Sequence, residues 1–156
     1  MKAVYFLAGC TVMMLFSCGE YPCTRAGSQF ALIGFPASET DTVVVRKYVK
    51  ASAFSSLVDT FLLNSQNSSY YLSNDTLEIS SSYGTGHGLT SDFDYEITLP
   101  KAGKTYQLTK ITEEIRSIRT GLSMKKVGCI NLIKSYELNG QQVSGANDYY
   151  FFYIRN

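Results

Sequence analysis

The sequence predicts an all-β fold, an immunoglobulin-like β-sandwich of about seven to nine strands over residues 29–156. Three observations predict it. Strand-forming Tyr and Phe are frequent, with 12 and 9 copies in 156 residues. Short apolar segments recur along the chain, and turn-forming residues separate them. The segments do not alternate with long helices, as they would in an α/β protein. Because the chain contains no Trp, the inference concerns the architecture and not an antibody-type domain.

Five segments in the first two thirds of the chain are predicted strands, because they are β-branched, aromatic or alternating and each ends at a turn signal: 29–35, 42–49, 70–72, 76–80 and 93–99. Residues 51–63 fit two structures. Their apolar residues have helical spacing, whereas 59–63 also fits a strand, and both alternatives stay open. Residues 84–91 are rich in glycine and are predicted to form a loop.

The last third of the chain contains one further ambiguity. Residues 106–111 begin as a strand, but apolar residues from Ile111 to Leu122 then follow a helical period. A short helix near 112–120 and a long bent hairpin fit this segment equally well. Residues 127–138 are predicted to be a strand that ends at the hairpin signal Asn139-Gly140. Residues 148–155 form a final apolar strand, which we expect to be central or covered on both faces.

The charge balance excludes some classes of partner. Lys and Arg number 14 and Asp and Glu number 13. A nucleic-acid-binding protein usually has a strong basic excess, so we expect no nucleic-acid partner. The same balance argues against a polybasic membrane patch.

The N-terminus predicts a targeting segment. Lys2 precedes the fifteen uncharged residues 3–17, a stretch too short for a comfortable membrane-spanning helix and suited to a secretory signal peptide. Leu15-Phe16-Ser17-Cys18 then resembles the lipobox of bacterial lipoproteins. The resemblance implies a signal peptide at 1–17, lipid on Cys18 and a short tether over 18–28. The alternative is an ordinary signal peptide with Cys18 as an ordinary thiol.

Three later segments extend the resemblance: residues 41–48, residues 93–100 and residues 136–140 are similar to parts of small Bacteroidota lipoproteins. This resemblance carries no known activity. Gly19-Glu20, which follows the Cys of the lipobox-like segment, lacks an Asp signal for retention in the inner membrane. The resemblance therefore implies a lipid-anchored protein of the bacterial outer membrane, facing either the periplasm or the cell surface. The membrane is then one partner, through the anchor.

Processing leaves two cysteines for a disulfide. Cys10 would leave with the signal peptide and Cys18 would carry lipid, so Cys23 and Cys129 remain. A secreted compartment permits disulfides, and we predict a Cys23–Cys129 bridge. The alternative is two buried or free thiols.

Candidate residues for catalysis are few. His87, the one histidine, lies in a glycine-rich loop that continues into no phosphate-binding pattern. Asp92, Asp94 and Glu96 alternate, and we favour a solvated outer strand face over a Ca²⁺ or hydrolase site. No spacing typical of a metal site or a cofactor loop occurs, so no metal, cofactor or catalytic residue is predicted. We therefore expect a non-catalytic binding or structural module with a protein or glycan partner. The alternative is a small hydrolase that uses His87 or these carboxylates.

Overall fold

The computed structural model describes residues 29–73, 75–81, 88–120, 125–144 and 151–156. These residues form an all-β sandwich of two packed sheets. Ten strands are present in the described ranges: β1 (Gln29–Ile33), β2 (Thr42–Val49), β3 (Leu57–Asn64), β4 (Ser68–Ser73), β5 (Thr76–Ser81), β6 (Phe93–Leu99), β7 (Lys104–Thr120), β8 (Lys125–Leu138), β9 (Gln141–Ser144) and β10 (Phe151–Arg155). One 3-10 turn, Ala37–Glu39, precedes β2. This confirms the predicted sandwich, with more strands than expected, and the immunoglobulin-like assignment stays a prediction.

The larger sheet has six strands in the order β3-β2-β6-β7-β8-β9. All of its described pairs are antiparallel. The predicted Asn139-Gly140 hairpin joins β8 to β9, and both residues have positive φ angles, of 51° and 79°. Two successive positive φ angles are what a type I′ turn requires, so this sequence signal and the structure agree.

The smaller sheet has four strands in the order β10-β1-β5-β4. β4 and β5, which contain the predicted strands 70–72 and 76–80, form an antiparallel hairpin in this sheet. The two chain-terminal strands pair in parallel, Phe30 opposite Phe152 and Leu32 opposite Ile154. Among the described strands β10 lies at the edge of its sheet, so the central position, one of the two alternatives predicted for residues 148–155, does not hold there. Its other edge is contacted by the side chain of Tyr136 and by none of the other described strands.

The core lies between the two sheets. Nine of its members have no measurable exposure: Leu32, Val43, Val45, Tyr95, Ile97, Leu99, Leu108, Phe152 and Ile154. They come from β1, β2, β6, β7 and β10, so both sheets and both termini of the domain contribute. The alternation that predicted β2 and β6 places these apolar side chains on the inner faces.

The proposed short helix near 112–120 is wrong. These residues belong to β7 and pair with β8, from Thr112 opposite Ser135 to Thr120 opposite Lys125. The spacing of four residues between Ile111 and Ile115 does not distinguish the two structures, because four is close to one helical turn and is also an even step along a regular strand. Register shifts near residues 109–113 and 118–119 absorb the odd spacings. The bent hairpin was the correct alternative.

The ambiguous segment 51–63 divides into two parts. Residues 57–64 form β3, so the strand alternative is correct there. The preceding residues form an irregular connection in which Ala51, Ala53 and Phe54 have positive φ angles of 59°, 49° and 61°. Such angles are uncommon for residues with a Cβ atom, which is why sequence periodicity alone did not identify this loop.

Candidate functional site

Asp94 is the most unusual of the predicted site residues, because its carboxylate is buried. The residue is 5% exposed, and its Oδ2 accepts a hydrogen bond of 2.7 Å from the backbone N–H of Ala51. The expectation that Asp94 faces open solvent is therefore wrong. Residues 50–56, which connect β2 to β3, cover this end of β6, and a buried carboxylate requires such a partner.

Glu96 lies on the same face of β6 and has a different partner. Its Oε1 is 2.6 Å from Nη1 of Arg46, and the two residues are directly opposed on β6 and β2. Residues two apart on a strand lie about 6.6 Å apart along it. Each carboxylate is thus held by its own partner. Asp92 is exposed and precedes the strand.

The loop of residues 50–56 is the strained part of this region. Besides the Asp94 contact, Nζ of Lys50 donates to the carbonyl of Ser91 at 2.7 Å. The ring of Phe54 packs edge-to-face on Tyr48 with centroids 5.2 Å apart. These contacts hold a loop in which Ala51, Ala53 and Phe54 lie in the left-handed region, where each costs roughly 1–2 kcal/mol.

Residues 88–92 complete the same end of the sandwich. Leu89 is 2% exposed and belongs to the core. The N–H of Thr90 donates to the hydroxyl of Tyr95 at 2.8 Å, and the N–H of Ser91 donates to Oε1 of Glu113 at 3.0 Å. Burial raises the pKa of Tyr95 above its ordinary value. Polar side chains at this end therefore support the backbone of two loops, a role that sequence analysis did not identify.

The β7–β8 hairpin extends beyond the rest of its sheet. β6 pairs with β7 only as far as Leu108, and β9 pairs with β8 only from Ser135 onward. Residues 113–120 and 125–133, which we call the arm, pair only with each other among the described strands. Each strand of the arm spans about 25 Å. Ile115 on the arm is 67% exposed, whereas Leu132 and Cys129 are 3% and 4% exposed.

Several predicted site residues lie outside the described residues: His87, Cys18 and Cys23. Cys129 is within them, on β8 opposite Ser117, and is buried, at 4% exposure. The Cys23–Cys129 bridge stays a prediction. Within the described ranges, no group of three or more His, Cys, Asp or Glu residues could hold a metal ion. No helix in those same ranges is long and apolar enough to span a bilayer.

Comparison with known proteins adds no relative: no protein-family model, curated protein or solved structure matches this chain.

Proposed function

We propose that this chain is a lipid-anchored, non-catalytic protein of the bacterial outer membrane that acts as a binding or structural module for a protein or glycan. The location rests on Leu15-Phe16-Ser17-Cys18, which resembles a lipobox. The domain that follows would then be held at the membrane by acyl chains. More than one chain is needed for stable anchoring, since each buried CH₂ contributes about 0.8 kcal/mol.

One observation supports the non-catalytic part of this proposal: Asp94 and Glu96, two of the three carboxylates that the sequence offers for chemistry, are occupied in structural contacts, and so is the nearby Glu113. Asp94 accepts from Ala51, Glu96 pairs with Arg46 and Glu113 accepts from Ser91. A general acid or base must instead reach a proton on its substrate. Two of these contacts also bind the backbone of the two loops, which suits a surface that recognises a partner.

The Cys23–Cys129 disulfide belongs to the same proposal. Cys129 is buried, at 4% exposure, which is compatible with a bridged sulfur. In the chain-entropy model, a bridge that closes a loop of about 100 residues contributes up to about 4.7 kcal/mol. The extended reach from Cys18 to Cys23 is at most about 18 Å, so the bridge would hold the arm near the lipidated residue.

Mass spectrometry of the mature protein tests the anchor and the bridge together. We expect a diacylated or triacylated N-terminal Cys18, with Cys23 and Cys129 joined under non-reducing conditions. Cys18→Ser should release the protein from the membrane fraction, whereas Cys10→Ser, in the signal peptide, should not. An unlipidated mature chain that begins at another residue would contradict the anchor.

Catalysis is tested separately with the His87→Ala and Glu96→Gln variants. The proposal expects that ester, glycoside and peptide substrates give no turnover above that of a protein-free control. Turnover by the wild type that is lost in either variant would replace this proposal with the hydrolase.

A further inference from the structure

The edge strands among the described residues differ in how they are protected. The hydroxyl of Tyr136 contacts the edge of β10, and the side-chain amide of Asn67 donates to the carbonyl of Leu62 on the edge of β3 at 2.8 Å. β9 has only four residues. The fourth edge, β4, has six residues without a charge, a proline or a register shift. Sheets usually protect such an edge, because its unpaired N–H and C=O groups can pair with another strand.

An apolar row on the inner face of the smaller sheet ends uncovered at β4. Its members are successive register partners on β10, β1, β5 and β4: Ile154, Leu32, Leu77 and Leu72. Ile154 and Leu32 are fully buried and Leu77 is 8% exposed, whereas Leu72 is 59% exposed. A residue of an added strand would lie directly opposite Leu72 and would continue this row. The row is therefore one strand short of covering its last member.

The outer face of the same edge combines an aromatic ring with a carboxylate. Tyr71 is 64% exposed and lies directly opposite Glu78 of β5, which is partly exposed. The described basic residue on this face, Arg155, belongs to β10, three strands and about 14 Å from β4. A basic side chain that an added strand placed beside Tyr71 would lie within reach of both the ring and the carboxylate of Glu78.

The distribution of charge along the chain favours a basic partner. Residues 51–100 contain six Asp and Glu residues and no Lys or Arg. Between Ser68 and Ser81, the stretch that contains β4 and β5, the charged residues are Asp75 and Glu78. Two copies of the chain that paired through β4 would bring these carboxylates together, whereas a strand with basic residues would be attracted to them.

We propose that β4 binds an extended segment of a protein partner, which adds a fifth strand to the smaller sheet and alternates apolar with basic residues. This inference rests on the binding function proposed above and assigns the partner to the protein class. The apolar residues of the segment would pack on Leu72 and the basic ones beside Tyr71 and Glu78, because successive side chains of a strand point to opposite faces. Backbone hydrogen bonds supply the affinity in this mode of recognition, and alternate side chains supply the specificity.

The experiment uses the full mature protein in neutral detergent micelles and fluorescent peptides of about eight residues. One peptide alternates valine with lysine, and a second alternates valine with glutamate. Fluorescence anisotropy measures the two affinities. We expect the lysine peptide to bind at least about tenfold more tightly, because the acidic edge attracts it and repels the glutamate peptide.

Backbone pairing is tested with two N-methylated versions of the lysine peptide, each blocked at every second amide. The N–H groups of a strand point alternately to its two edges, so one version is blocked on the edge that faces β4. That version should lose binding and the other should keep it. Hydrogen exchange at residues 68–73 should slow when the lysine peptide binds, whereas exchange at residues 57–64 of β3 should not change.

Matched variants locate the site. Leu72→Ser should weaken binding of the lysine peptide by about tenfold, whereas Leu62→Ser, at a residue of β3 that is 53% exposed, should not. Glu78→Gln should weaken the lysine peptide but not a peptide that alternates valine with serine. Asp59→Asn, on β3, is the control for this charge. Thermal unfolding is followed for all four variants, and weaker binding by a folded variant of β4 or β5 supports the proposal.

Failure of this inference differs from failure of the proposed function. If no peptide binds while mass spectrometry finds lipid on Cys18, the anchor stands and strand addition is wrong. If Leu62→Ser weakens binding and Leu72→Ser does not, the chain is a binding module but β4 is not its site. If both N-methylated peptides bind, charge alone holds them, which overturns strand addition. If Leu72→Ser instead reduces self-association of the protein, β4 contacts a second copy, which also overturns the proposal.

Discussion

The hydroxyl of Tyr136 on β8 binds the backbone of Tyr153 on β10 and so joins the two sheets. It accepts a hydrogen bond of 2.9 Å from the N–H of Tyr153 and donates one of 3.3 Å to the carbonyl of the same residue. β10 has β1 on one side only, so these two groups belong to the edge that pairs with no described strand. Burial raises the pKa of Tyr136, which keeps the donating proton in place.

Tyr136→Phe should destabilise the domain by about 1–3 kcal/mol, because it leaves the N–H and carbonyl of Tyr153 without their partner while preserving the ring. The ring itself packs edge-to-face on Phe152 with centroids 5.0 Å apart and should stay in place. Urea unfolding measures the loss, and the amide of Tyr153 should exchange faster. Tyr71→Phe, at a residue that is 64% exposed, is the control. Equal loss in both variants would show that the Tyr136 hydroxyl has no special role.

The sequence predicted the local elements well and the long-range relationships poorly. β2 and β6 begin and end where alternation and turn residues placed them, because both signals are local. The burial of Asp94 was not predictable, since its partner Ala51 is 43 positions away and belongs to a loop with unusual backbone angles. The edge position of β10 among the described strands was not predicted for a related reason. An apolar strand normally needs a strand on each side, and here a tyrosine hydroxyl replaces one of them.

A second edge strand is protected by a side-chain amide. Nδ2 of Asn67 donates to the carbonyl of Leu62 at 2.8 Å, and its Oδ1 accepts from the N–H of Asn64 at 2.9 Å. These are the bonds that one residue of a neighbouring strand would make to β3. Asp59 similarly accepts from the N–H of Thr60 at 2.8 Å. Protection is needed because β3 is an edge among the described strands and exposes Leu57, Val58 and Leu62 by about half.

Asn67→Ala should therefore promote association of the protein through β3. The variant frees the carbonyl of Leu62 and the N–H of Asn64, which can then pair with the same edge of a second copy. Sedimentation velocity over a wide concentration range should show more self-association than for the wild type. Gln66→Ala, in the same turn, is the matched control. If both variants sediment like the wild type and remain folded, Asn67 does not protect this edge.

Asp94→Ala should loosen the loop of residues 50–56. Loss of the buried carboxylate removes the partner of the Ala51 N–H and should cost about 1–3 kcal/mol of folding free energy. Asp94→Asn retains an oxygen that can accept this bond and should cost less. Urea unfolding gives the free energies, and hydrogen exchange should show faster opening at Ala51 in the alanine variant alone. Equal effects of the two substitutions would contradict a role for the hydrogen bond.

Tyr70 gives a prediction for alkaline pH. Its hydroxyl donates to the carbonyl of Leu63 at 2.9 Å. Burial and, secondarily, the nearby charge of Asp41 raise the pKa of Tyr70 from 10.0 to about 12. Between these values the unfolded chain loses the phenolic proton and the folded chain keeps it. The contribution of Tyr70 to the free energy of unfolding is therefore complete below about pH 10, and it falls as the pH rises toward the pKa of the folded state.

Tyr70→Phe should make this alkaline loss of stability shallower. The ionisation of a single group changes the free energy of unfolding by at most about 1.4 kcal/mol per pH unit, and the change is smaller here because the ring is partly exposed. Burial also raises the pKa values of Tyr95, Tyr106 and Tyr136, so part of the slope should remain in the variant. Below pH 9 the variant should instead be less stable than the wild type by about 1 kcal/mol, the contribution of the bond to Leu63. Urea unfolding between pH 8 and pH 11 measures both effects, and parallel profiles for the variant and the wild type would show that Tyr70 does not cause the alkaline slope.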